Sequence, residues 1–152
     1  MMGLDHRVPP VLVVLLWALL MAFLAWPEGL ASPPRWRLGI AGLVALLGGA
    51  LCLAGVLSFR RAQTTVNPLA PSNASALVAS GVYRYSRNPM YLGFAIVLLA
   101  WAIFLGVPQA VLGVVGFVIY MNRFQIGPEE QALQQRFEEG FSRYRQQVRR
   151  WL

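Results

Sequence analysis

The sequence predicts an all-α protein: a polytopic membrane helical bundle of about four transmembrane helices, the last two a tight hairpin, with an amphipathic helix after them. Three observations carry that expectation. Hydrophobic residues make up 57% of the 152 and charged residues 12%, about half the roughly 25% charge of a soluble domain. The apolar residues gather into four runs separated by polar or proline-containing stretches. The remaining charges are distributed unevenly around those runs. At this length a single membrane-embedded domain over 1–152 is expected.

The first run, 10–26, is long enough for a span, which takes roughly 17 to 25 apolar residues. Arg7 before it and "GLAS" after it also suit a signal peptide. The run exceeds a usual signal core, and the later apolar segments need a membrane in any case, so a span is preferred. The second run, 36–59, spans easily; the Gly39/Gly42 pair and Gly48-Gly49 predict close helix packing. Residues 60–89 form a polar loop, in which Thr64, Thr65 and Asn67 either line a site or are ordinary turn residues. The third and fourth runs, 90–105 and 108–123, are short and joined by "GVPQ", so they form a hairpin that either crosses or re-enters the bilayer. From 129 to 151, Leu133, Phe137, Phe141, Tyr144, Val148 and Trp151 recur at intervals of four and three, one face of a helix. Its other face is Glu, Gln and Arg, which suits the membrane interface. Gly140 is expected to bend or weaken it.

Arginine placement sets the orientation. With four spans, eleven arginines (7, 60, 61, 84, 87, 123, 136, 143, 145, 149 and 150) share one side, and only Arg35 and Arg37 lie on the other. The positive-inside rule then puts both termini in the cytoplasm. Every basic residue is arginine, a usage typical of GC-rich genomes, so a bacterial inner membrane is expected. The net charge of +7 suits anionic lipid headgroups; no nucleic-acid motif accompanies it. Cys52 and His6, the lone cysteine and histidine, offer neither an internal disulfide nor a metal-ligand set.

Polar chemistry concentrates in two places. "GVYRYSRNPMYLG", 81–93, brings Tyr83, Arg84, Tyr85, Arg87, Asn88 and Tyr91 to the start of the third run. Asn88-Pro89 has the composition of a helix start, with Asn as cap and Pro at the first position. Gly127-Pro128-Glu129-Glu130 reads as a second start, with carboxylates where the helix dipole favours them. Each start can turn unpaired backbone N–H groups to a ligand. Taken singly, the arginines and tyrosines are ordinary interfacial residues and the glutamates ordinary first-turn carboxylates. Taken together, they put cations, carboxylates and aromatic faces on one side of the membrane.

"TTVNP", "LVASGVYRYSRNPMYLG" and "PEEQALQQRFEEGFSRYRQQVRRWL", in that order and spacing, resemble the isoprenylcysteine carboxyl methyltransferase and phospholipid methyltransferase group of integral membrane enzymes. The resemblance covers roughly residues 60–152. It implies a small helical bundle with a cytoplasmic S-adenosylmethionine pocket and an acceptor that enters from the membrane. By resemblance, Gly81, Tyr83, Arg84, Arg87, Pro89, Tyr91, Glu129 and Glu130 contribute to the cofactor site, and Asn88 is counted with them; on their chemistry, Arg87, Arg123 and Glu130 are the catalytic candidates. The chemistry agrees. Arginine clamps a carboxylate, glutamate accepts hydrogen bonds from an ammonium or ribose, and tyrosine rings face a sulfonium. No metal is implied. Two departures stand out: Asn88 replaces a common histidine, and Glu138 follows Phe137 where relatives often have Phe-Gly and then tyrosine, here Phe141.

The acceptor is expected to be a carboxylate on a lipidated thiol, as in isoprenylcysteine, with Arg87 or Arg123 orienting it. The alternative is a phosphatidylethanolamine-type amine, whose proton Glu130 or water takes. A non-enzymatic membrane scaffold subunit is the competing reading. A nicotinamide-dependent reductase lacks its Gly-x-Gly-x-x-Gly motif here.

Overall fold

The computed structural model describes residues 8–26, 28, 32–62 and 76–152, all helix and connecting segments with no strand among them. In order come α1 (Pro10–Leu24), α2 (Arg35–Arg61), a 3-10 turn (Gly81–Arg84), α3 (Pro89–Leu105), α4 (Gln109–Tyr120), a π turn (Met121–Ile126) and α5 (Gly127–Gln147). Thr64, Thr65 and Asn67 lie outside the described residues.

Among the described residues, two helices are long and apolar enough to cross a membrane: α2, with 27 residues, and the helical stretch from Gln109 to Gln147, with 39, which kinks at Glu138. The apolar part of the latter is α4; α5 is amphipathic. Only 17% of the most apolar stretch of α2 is buried, unlike the core helix of a soluble protein. Leu15, Leu19 and Phe23 of α1, Leu43, Leu46 and Leu53 of α2, and Leu112 and Ile119 of α4 all face outward. An apolar belt this extensive belongs in lipid.

Small residues let α2 and α3 touch backbone to backbone. A Cβ on Gly48 would sit 2.7 Å from the Gly93 carbonyl oxygen, and one on Gly93 would sit 2.7 Å from that of Gly48. The buried positions Ala41, Gly48 and Gly55 recur every seventh residue, two turns apart on one face. Gly39, Gly42 and Gly49 are rotated off that face and meet nothing within 4 Å, so of the glycines expected to pack, Gly48 alone does. α1 is tied to α3 by Trp101 Nε1, which donates to the Ala18 carbonyl at 3.0 Å. Met21, Leu98, Leu105, Ala110, Phe117, Met121 and Ile126 fill the core between these helices. Gly106, left-handed at φ 69°, ends α3 three residues before α4 begins.

Three expectations need correction. Gly127-Pro128 does not begin a helix: the chain passes helically from α4 through the π turn into α5. Its N–H groups therefore form no open helix end. The bend in α5 lies at Glu138 (φ 40°, ψ −109°), not at Gly140. The carbonyl freed there accepts hydrogen bonds from Gln134 Nε2 at 2.9 Å and Ser142 Oγ at 3.1 Å. Finally, α5 stops at Gln147 rather than 151. Val148 is extended, and the next residues turn back across the site.

Candidate functional site

Three segments far apart in sequence meet at one end of the bundle. The first is the 3-10 turn with residues 85–91. Gly81 has φ 61°, and a Cβ there would lie 2.7 Å from Ser58 Oγ, so backbone and space both demand glycine. This seats the turn on the end of α2. Tyr83 is buried edge-on against Phe59, ring centroids 5.3 Å apart, and its carbonyl accepts the Tyr144 hydroxyl of α5 at 2.7 Å. Burial raises the phenols of Tyr83 and Tyr144, so both stay neutral at physiological pH.

The second segment is the π turn and the first turn of α5. Consecutive glutamates on a helix point about 100° apart, so Glu129 and Glu130 serve different partners. Glu129 Oε1 accepts the Tyr91 hydroxyl from α3 and Gln125 Nε2, the latter at 3.1 Å. Burial is the main cause that raises its carboxyl to about 7; the Tyr91 and Gln125 donors pull it down, and the neighbouring Glu130 adds to the rise. Glu130 turns instead to cations. Its Oε1 accepts Arg87 Nη2 and Arg150 Nε, each at 3.2 Å, and its Oε2 takes Arg150 Nη2. The widened π turn aims Asn122 and Gln125 into the same network, the placement for which such turns are often used.

The third segment is 148–152. Arg87 N–H donates to the Arg149 carbonyl at 3.0 Å. The Arg150 carbonyl accepts Asn88 Nδ2 at 3.0 Å and Ser86 Oγ at 3.4 Å. Trp151 Nε1 donates to Asn122 Oδ1 at 3.0 Å. Asn88 occupies the N-cap position of α3, but its side chain holds this returning segment and caps nothing, contrary to expectation. Pro89 fills the first helical position, buried.

Arg87 is the least satisfied group. Its side chain is only 10% exposed. One nitrogen reaches Glu130, while Nε and Nη1 are buried without a partner among the described residues. Desolvation is the main reason its guanidinium is held below its usual value; Glu130 opposes that shift, and Arg150 and Arg145 reinforce it. Donors left unmade in a buried site cost about 1–3 kcal/mol each. A cavity of about 410 Å³ opens beside this cluster, against Glu130, Gln131, Gln134, Arg145 and Arg150.

Of the site residues expected from sequence, Gly81, Tyr83, Arg87, Asn88, Pro89, Tyr91, Glu129 and Glu130 come together here. Arg84 and Arg123 are exposed and lie outside the network. Sequence reasoning missed Ser86, Asn122, Gln125 and Trp151, and treated Arg150 only as a topology charge. The available signal was polar "NRFQ" at the end of an apolar run; the helical spacing that reached Trp151 hid the return of 148–152.

A family model described as phospholipid methyltransferase matches residues 36–140. That range holds the first two segments of the site and stops short of the third. An uncharacterized protein of Haemophilus influenzae is 48% identical over 63 residues, which is 41% of this chain and the whole of that protein. No solved structure matches.

Proposed function

Because the chain belongs to the phospholipid methyltransferase family, we propose that it takes a methyl group from S-adenosylmethionine and passes it to a lipophilic acceptor at the cytoplasmic face of the membrane. The observation that carries this reading is the buried Arg87, with two unpartnered nitrogens, beside the Glu129-Glu130 pair. The residues fit the cofactor's amino-acid end. Arg87 Nε and Nη1 suit its carboxylate, and Glu129 suits its ammonium or ribose hydroxyls. When bound, S-adenosylmethionine supplies an electrophilic methyl on a sulfonium, so no further activation is needed. The chain's own work is to bind, orient and exclude water. Positioning in line with the acceptor carries much of the rate in such a displacement.

The same placement supports a four-span topology. Gly55 of α2 lies against Met90 of α3, and Gly106 lies against the Arg37 guanidinium. Residues 37–55 of α2 are thus matched along their length by α3, about 27 Å of helix. Arg60, Arg61, Arg87 and Arg150 sit at the site end, and Arg35 and Arg37 at the other. In this reading the arginine-rich end faces the cytoplasm, in a bacterial inner membrane.

For the acceptor, the family description favours a phospholipid amine of the phosphatidylethanolamine type, which must lose a proton that Glu130 or a water can take. The isoprenylcysteine-type carboxylate needs an orienting cation and no base. Arg87 can serve there, whereas Arg123 can meet such an acceptor only at the exposed surface. The first experiment is equilibrium binding of S-adenosylmethionine to the protein in lipid nanodiscs, wild type beside Glu130→Gln. Micromolar binding, weakened in the variant and displaced by S-adenosylhomocysteine, is expected. No binding at millimolar cofactor by folded protein sinks the reading. Lipid extracts with methylated ethanolamine headgroups, seen only when the intact gene is expressed, separate the amine acceptor from the carboxylate.

A further inference from the structure

The segment 148–152 lies beyond the matched family region, yet it makes more polar contacts with the site than any single helix does. Three elements catch it: residues 86–88, the π turn at Asn122, and Glu130 of α5. All of these contacts converge on Arg150 or its immediate neighbours. A segment that merely rested on the protein would not place a guanidinium on the buried carboxylate of the site.

We propose that Arg150 is a positioning residue of the cofactor site, one that holds Glu130 so that Arg87 stays open to a ligand carboxylate. The inference rests on the S-adenosylmethionine reading above. Glu130 has two oxygens, and Arg150 occupies both, through Nε on Oε1 and Nη2 on Oε2. Arg87 therefore gets one contact, from Nη2, and keeps Nε and Nη1 unpartnered. Remove Arg150 and the carboxylate is freed to turn fork-on to Arg87, which consumes a donor that the ligand needs.

A purely structural role for Arg150 predicts something different: its loss loosens the joint and weakens every ligand alike. The test is therefore a ratio. Binding of S-adenosylmethionine and of 5′-methylthioadenosine, which keeps the nucleoside but lacks the amino-acid end, is measured on the full chain in nanodiscs. Wild type is expected to prefer S-adenosylmethionine. Arg150→Ala is expected to lower that preference by about tenfold or more, the scale of a lost charge-assisted contact, with 5′-methylthioadenosine affinity retained. Arg150→Lys keeps the charge without the fork and is expected to fall between the two. Arg143→Ala removes an exposed positive charge from α5 and is expected to keep the wild-type ratio. A preference unchanged in Arg150→Ala overturns the proposal. If that variant binds neither ligand, Arg150→Lys decides: a reduced ratio supports the proposal and a wild-type ratio overturns it. Wild type that binds no S-adenosylmethionine fails the underlying reading instead, and the inference falls with it.

Discussion

Glu138→Gly should make the protein more stable, although it removes a helix-favouring residue from a helix. Glu138 has φ 40° and ψ −109°, a region that side chains with a Cβ rarely occupy. Strain of this kind costs about 1–3 kcal/mol. Glycine has no Cβ to clash, so it relieves most of that cost. Against it stands the greater freedom of glycine in the unfolded chain, about 0.4–1 kcal/mol. The usual helix-interior penalty does not apply, because the backbone is not helical at this residue. The balance is a gain of about 1 kcal/mol, or about 2–4 °C in Tm for a chain of this size. Glu138 is exposed, so losing its carboxylate should matter little. Glu138→Ala is the control, since it keeps the Cβ and the strain and should stay near wild type. The assay is thermal unfolding in one detergent or nanodisc preparation. A Glu138→Gly Tm at or below that of Glu138→Ala would refute the reasoning and place the bend elsewhere. Gly140→Ala sharpens the comparison: nothing lies within 4 Å of its Cβ position, so this change should be tolerated or mildly stabilising.

Other consequences can be measured with the same material. Gly93→Leu should collapse the α2–α3 contact, since even a Cβ there meets Cys52 Sγ at 2.5 Å; loss of folded protein in detergent is the readout, and normal yield would contradict the packing. The raised Glu129 carboxyl means that the folded state holds a proton which the unfolded state releases near its ordinary value of 4.5. Stability should therefore fall as pH rises from about 5 to about 7, and Glu129→Gln should flatten that slope; parallel pH profiles would show that Glu129 is not the group responsible. Asn88→Ala removes a catch on the Arg150 carbonyl, so faster hydrogen exchange or proteolysis at 148–152 is expected, with α2 and α3 unchanged.

Much of this was legible in the sequence, because lipid is a demanding solvent. Runs of Leu, Val and Ala announce helices wherever backbone groups must satisfy one another. The gathering of Tyr83, Arg87, Tyr91, Glu129 and Glu130 was readable because charge is scarce in this chain and therefore conspicuous. What stayed hidden depended on continuity and rotation. Gly127-Pro128 has the composition of a helix start, yet Pro128 follows a π turn that the Gly127 N–H closes on the Asn122 carbonyl, so the chain is already helical when it reaches the proline. Gly39 and Gly48 look alike in a window of sequence, and only the helix's rotation tells which one meets α3. The return of 148–152 was masked because Tyr144, Val148 and Trp151 keep helical spacing while the backbone at Val148 is already extended.

The unbroken course from α4 into α5 bears on how the site works. Glu129 and Glu130 stand on the same helical course as Phe117 and Met121, which are fully buried in the core of the bundle. Arg87 and Tyr91 stand at the start of α3, whose other end packs with α1 and α4. Both halves of the site are thus anchored in packed apolar helices rather than in a free loop. An ion pair between them holds its geometry because each partner's backbone is already fixed. Residues 148–152 are different: they belong to no helix and are held by hydrogen bonds and by the packing of Trp151 against the core. Arg150 is therefore set on Glu130 by that returning segment, through its contacts with Ser86, Asn88 and Asn122, and not by a helix of its own.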